Sequence, residues 1–208
     1  VLDHLGNLGV TRVEWILHTH HHRDQCQGDG LANERSIPIA VPAHEQPYFE
    51  EVEVFWGSRQ IYNIYDVRQS FFTLAQSVRT SRVLEDYETF QWRGYQFFVQ
   101  PTPGHTLGHI ALIAEIDGNR VGFSGDLMAA PGKVRTLYDL QYSYGAGDGC
   151  DYMVYSLAKM RDQGTDLLCP SHGQPFGDTA PALLELERKL RDYLEHRWNL
   201  TPSHDIAP

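Results

Sequence analysis

Two hydrophobic rhythms alternate along the chain. Short apolar runs rich in β-branched and aromatic residues occur at 11–17 (TRVEWIL), 37–41 (IPIAV), 95–100 (YQFFVQ), 110–116 (IALIAEI), 120–123 (RVGF) and 166–169 (DLLC), and each predicts a buried strand. Asp117-Gly118-Asn119 separates two of these runs and predicts a hairpin. Elsewhere apolar residues return every three or four positions. That spacing predicts helices at 2–9 (closed by glycine), at 151–163 with Asp151 as N-cap, and at 180–198. The last carries Leu183, Leu186, Leu190 and Leu194 on one face, with Glu185/Lys189 and Glu187/Arg191 at i,i+4.

Between about 45 and 90 the chain mixes polar residues with Tyr48, Phe49, Phe55, Trp56, Tyr62, Tyr65, Phe71 and Phe72 at helical steps. A mostly helical insertion is expected there, either packing on the domain or walling an active site. Arg59, Arg68, Arg79 and Arg82 in that stretch read as a solvated face or as a clamp for an anionic group. Strands alternate with helices, and each polar cluster falls just past a strand. The expected fold class is therefore α/β, with chemistry at the strand ends.

A chain of 208 residues with 41% hydrophobic content is expected to form one domain over 1–208. The formal net charge of −10 argues against nucleic acid as a partner. No apolar run is long enough to span a bilayer. Cys26, Cys150 and Cys169 form no CxxC pair, and their odd number fits a reducing, cytoplasmic setting better than a disulfide framework.

The chemistry concentrates at 18–28, HTHHHRDQCQG. In an extended segment His18, His20, His22 and Asp24 project to one side, and imidazoles two apart can chelate one first-row cation. Three further candidates stand at strand ends beside glycines: His105, Asp126 and His172. Taken singly, each has an ordinary structural explanation. Their joint occurrence points to a metal centre.

The order of these motifs resembles the metallo-β-lactamase fold superfamily: His20-His21-His22-Arg23-Asp24-Gln25, then Pro103-Gly104-His105-Thr106-Leu107-Gly108-His109, then Ser124-Gly125-Asp126, then Ser171-His172-Gly173. Gly28 fixes the register on His20 rather than His18. The second block is similar to the glyoxalase II-like branch. The resemblance implies an αββα sandwich in which His20, His22 and His105 hold a first metal. Asp24 and His172 would hold a second, and Asp126 would bridge them. It also implies a metal-bound hydroxide as nucleophile, with Asp24 as the catalytic orienter or proton acceptor. Gln25 stands where the family has a histidine, and a neutral amide oxygen is a weaker zinc donor. One or two zinc ions are expected, with iron or manganese as alternatives. His18, His21, His44 and His109 are further candidates, of which His18, His21 and His109 are read as supporting residues, and Cys26 and Cys169 are read as small buried hydrophobes.

In the resembled fold, strands precede the first histidine motif. Their absence here leads to the expectation that the rest of a longer chain, or another subunit, supplies them. The expected function is hydrolysis of a carbonyl-containing small molecule: a thioester, ester or lactam. Two alternatives stand beside it, an iron-dependent oxygenase of the same fold and a non-catalytic binding or regulatory domain with a degraded second metal site.

Overall fold

A computed structural model describes residues 2–57, 73–135 and 148–200 of the chain. The first half contains α1 (Leu2–Asn7), β1 (Ile16–Leu17), α2 (Arg23–Cys26), α3 (Asp29–Glu34), β2 (Ile39–Pro42), α4 (Gln46–Glu50), α5 (Val52–Gly57) and β3 (Arg82–Leu84). The second contains β4 (Thr89–Trp92), β5 (Tyr95–Pro101), β6 (Ile110–Ile116), β7 (Asn119–Gly125), α6 (Asp148–Asp162), β8 (Leu167–Pro170) and α7 (Thr179–Leu200). The strands form a three-stranded parallel sheet, β1-β2-β3, and a five-stranded sheet, β4-β5-β6-β7-β8.

Three buried clusters stack these sheets into αββα layers. Leu17, Ala40, Leu84, Phe97, Val99, Ile110 and Leu112 pack between the sheets. Ile113, Met153, Leu157, Leu183, Leu186, Leu190 and Leu194 join the outer face of the larger sheet to α6 and α7. Cys26, Ala32, Ile39, Val41, Phe49 and Val52 do the same for the smaller sheet and its helices. β6 lies between both helical and sheet neighbours, which is why Ile110–Ala114 are continuously apolar rather than alternating. Truncating one of the α7 leucines to alanine would cost about 2–5 kcal/mol.

The predicted hairpin is present: Leu112 pairs with Phe123 and Ile116 with Asn119, and Asp117 and Gly118 turn at φ 51° and 79°. Four expectations need correction. Of residues 11–17 only Ile16 and Leu17 pair as a strand, because β2 is the single neighbour and reaches no further. Asp151 is inside α6, not its N-cap, since the helix already includes Asp148. Among the described residues of the 45–90 insertion, Gln46–Glu50 and Val52–Gly57 are helical, while Arg82–Leu84 and Thr89–Trp92 are strands. Cross-strand pairing with β2 and β5 overrides the local spacing there. Arg59, Arg68, Tyr62, Tyr65, Phe71 and Phe72 lie outside the described residues. Finally, Arg82 is no clamp: it pairs with Glu88 at 2.9 Å and covers the Phe90 ring. Among the described residues no helix is long and apolar enough to cross a membrane.

Candidate metal centre

Four strands end at one edge of the two sheets, and each hands the chain to a segment that carries the predicted residues. β1 runs into 18–22, β5 into the loop holding His105, β7 into Asp126 and β8 into His172. Backbone hydrogen bonds tie these segments together: Ile110 N–H donates to Thr19 O at 2.9 Å, and Ser171 N–H donates to Gly125 O at 2.9 Å. The β7–β8 register shifts at Phe123 and Gly125, a bulge that re-aims the chain just before Asp126. Gly125 sits at φ +53°, and a Cβ there would meet His109 Nε2 at 2.4 Å and Thr19 Oγ1 at 2.6 Å. Only glycine fits both the turn and the space.

His20, His22 and His105 converge. Their ligand nitrogens lie within 4.8 Å of one another, all three residues are buried, and His105 Nε2 is 2.8 Å from His22 Nδ1. Asp126 Oδ2 is 3.2 Å from His105 Nε2, 4.0 Å from His20 Nε2 and 3.7 Å from His172 Nε2. At the solvent side, Asp24 Oδ2 is 2.9 Å from His172 Nε2, and the Gln25 amide nitrogen is 3.3 Å from the same atom. All the predicted residues therefore meet in one place, in two groups that share Asp126.

Burial, and then the neighbouring His105 and His109, push the His20 ring far below its usual range; burial followed by His105 does the same to His22. Neutral imidazoles are the form that binds metal. His20 Nε2 and Asp126 Oδ1 are buried without a hydrogen-bond partner, a costly condition that a cation between them would relieve. The inner group therefore fits a first-row metal ion bound by imidazole nitrogens. The outer group differs in its donors. It has a neutral amide at Gln25 and a cation nearby: Arg135 Nη1 lies 2.9 Å from His172 Nε2 and 3.7 Å from Asp24 Oδ2.

The supporting residues behave as a scaffold. His109 Nε2 accepts a hydrogen bond from the Asp126 backbone N–H at 3.1 Å, so its ring proton sits on Nδ1 and donates to Thr102 Oγ1 at 2.7 Å. His18 lies between Cys26 and Asp29, with Nδ1 3.4 Å from Cys26 Sγ and Nε2 2.8 Å from Asp29 Oδ2. Its two nitrogens face different partners, while the three residues' ligand atoms lie within 4.8 Å of one another. The His44 side chain is 66% exposed and pairs with Asp86.

The sequence reading overlooked two residues. Arg135 is one. The other is Glu45, fully buried in the turn after β2. Its Oε2 accepts the His21 backbone N–H at 2.8 Å and lies against His21 Nδ1. Its Oε1 accepts from Thr106 Oγ1 at 2.6 Å and from Gly108 N–H at 3.0 Å. One carboxylate thus holds both loops that carry the first group's histidines. Gly108 is required for this approach, because a Cβ there would meet Glu45 Cγ at 2.6 Å. Burial works to raise the Glu45 carboxyl, but the charge of His21 and the hydrogen bonds from His21 and Thr106 outweigh it and bring it down. A carboxylate one residue past His44, right after the apolar run IPIAV, was the available signal.

These rings make an acid-sensitive centre. His109 is pushed down to about 3 by burial and by His105, while the unfolded chain would protonate it near 6.5. Folded protein then binds fewer protons than unfolded protein below about 6.5, and stability drops as the pH drops, by about 1.4 kcal/mol per unit for each ring kept neutral. Asp126, raised by burial, opposes this for one group only. Chemical unfolding of metal-free protein at pH 7 and pH 5 is expected to show the lower midpoint at pH 5. An equal or higher midpoint in acid would contradict the assignment of these rings as neutral.

An αββα fold with histidines and carboxylates gathered at its strand ends defines a metallohydrolase-type protein. The chain belongs to the Metallo-beta-lactamase superfamily, which it matches over residues 4–172. Among solved structures it is similar to a metallo-beta-lactamase family protein from Thermus thermophilus, at 22% identity and TM-score 0.69, covering 95% of this chain and 68% of that one. It is also similar to the metallo-beta-lactamase MIM-1 from Novosphingobium pentaromativorans, at 18% identity and TM-score 0.69, covering 96% and 75%. A third is a Cronobacter sakazakii metallo-beta-lactamase described by a HARLDQ motif, at 15% identity and TM-score 0.65, covering 95% and 81%. At these identities the structural likeness speaks for the fold.

Proposed function

We propose that the chain is a zinc-dependent hydrolase of a carbonyl-containing small molecule: a thioester, ester or lactam. The observation that carries this reading is the convergence of His20, His22 and His105, with Asp126 beside them and Asp24 and His172 at the solvent side. A zinc ion held by the three histidines would supply a Lewis acid and lower the pKa of a water to about 7. The chain's own residues do the rest. Asp24, with Oδ2 2.9 Å from His172 Nε2, accepts the proton of the attacking water and passes it toward the leaving group. His172 orients that carboxylate, and His109 fixes the Asp126 backbone. The Tyr48 ring stacked on His21 at 4.3 Å and the nearby Trp56 provide apolar surface on the α4–α5 side. The block Thr102–His109 favours the glyoxalase II-like branch, and so a thioester, within that substrate class.

The test is a panel of thioesters, esters and lactams assayed with zinc-loaded protein, with His105→Ala as control. Hydrolysis that survives this substitution would refute the proposed centre. Gln25 gives a separate prediction. The Cronobacter sakazakii motif ends in the same Asp-Gln pair as Asp24-Gln25. Gln25→His restores an imidazole to the outer group, and elemental analysis is expected to show metal content rising toward two ions per chain. Two tightly bound ions in the unsubstituted protein would count against a weakened outer site.

A further inference from the structure

We propose that the Arg135 guanidinium takes the place of a second metal ion, so that the centre works with one dication and one fixed organic cation. The inference rests on the ligand reading proposed above and concerns the outer group alone. Arg135 Nη1 lies 2.9 Å from His172 Nε2, in the space a metal at this histidine would have to enter. The same nitrogen is 3.7 Å from Asp24 Oδ2. Arg135 also lines a small hollow with Asp126, Met128, Ala129 and His172, which places it beside Asp126 as well as near Asp24.

Charge balance points the same way. Asp24 and Asp126 are the carboxylates at the convergence, and Glu45 lies behind His21 with its charge already engaged. One dication together with Arg135 exceeds the two carboxylates by a single charge, whereas two dications together with Arg135 exceed them by three. A guanidinium keeps its charge at every accessible pH, so no deprotonation relieves the repulsion. Gln25 supplies no imidazole that could bind a second ion against that repulsion. The Arg135 side chain is 54% exposed, so one edge of the fork holds His172 while the rest reaches solvent. A fork in that position suits the bidentate binding of an anionic substrate group such as a carboxylate.

The readout is zinc stoichiometry and affinity, measured by calorimetric titration of metal-free protein and confirmed by elemental analysis. The unsubstituted protein is expected to bind one zinc tightly and a second weakly. Arg135→Ala and Arg135→Gln are each expected to tighten the second zinc by roughly 10- to 100-fold. Arg135→Lys keeps the charge and should leave the second zinc weak. First-zinc affinity should hold in all three, which also shows that each has folded. Equal second-zinc affinities in the alanine, glutamine and unsubstituted proteins would overturn the proposal, as would two tight ions before any substitution. If the alanine and glutamine proteins gain the second ion while no panel substrate is hydrolysed, the hydrolase reading falls and the role given to Arg135 stands.

Discussion

His105→Ala is expected to eliminate tight metal binding and, with it, hydrolysis of every substrate the protein accepts. His105 is the one histidine of the inner group contributed by the larger sheet, while His20 and His22 come from the segment after β1. Two imidazoles from one loop would remain, with the Asp126 carboxylate facing an empty corner. Loss of a supporting residue around a metal typically costs roughly 10- to 100-fold in affinity or activity, and loss of a ligand costs more. The measurement is zinc affinity by competition with a chromophoric chelator, read beside kcat/KM. Because the His105 ring also packs against the rings of His20 and His22, His105→Gln belongs in the same experiment. It retains volume, and it should lose zinc nearly as completely while keeping the fold.

Glu45 carries the second large expectation. Glu45→Ala removes the acceptor for the His21 and Gly108 backbone N–H groups and for the Thr106 hydroxyl, all of them buried. Stranding buried partners of a carboxylate costs about 3–5 kcal/mol, so much of the protein's stability should be lost. Glu45→Gln separates positioning from folding. It keeps the shape and one carbonyl acceptor, but its amide NH2 meets donors where a carboxylate oxygen accepted. Zinc affinity is expected to drop roughly 10- to 100-fold with only a modest change in unfolding midpoint. Glu45 lies behind His21, out of reach of substrate, so KM should change less than kcat at saturating zinc. Equal zinc affinity in Glu45→Gln and the unsubstituted protein would mean that the two loops hold their places without the bridge.

The strands and helices that announced themselves did so through burial. The continuous apolar run of β6 and the leucine stripe of α7 are direct consequences of being covered on one or both faces. The hairpin at Asp117-Gly118 was legible because positive φ leaves a chemical signature. β3 and β4 were not legible. Each is short, and each exists because a partner strand sits beside it, which no local spacing encodes. The same distinction runs through the centre. His20, His22, Asp24, His105, Asp126 and His172 stood out as recognisable motifs at strand ends, and the structure brings them together. Glu45 and Arg135 belong to no motif. Their significance lies in contacts to residues 24 and 37 or more positions away, and only the folded chain reveals those.

The centre also says something about the order of events in folding. His22 meets His105 across 83 positions of sequence and Asp24 meets His172 across 148, whereas the β6–β7 hairpin closes over a handful of residues. Loops that long are entropically expensive to close and lower the folding rate, while hairpins and helices form early. The geometry that binds metal is therefore assembled among the last contacts. An ion has no preformed nest to nucleate around, and it acts afterwards as a clasp. Zinc should slow unfolding strongly while scarcely changing the rate of refolding.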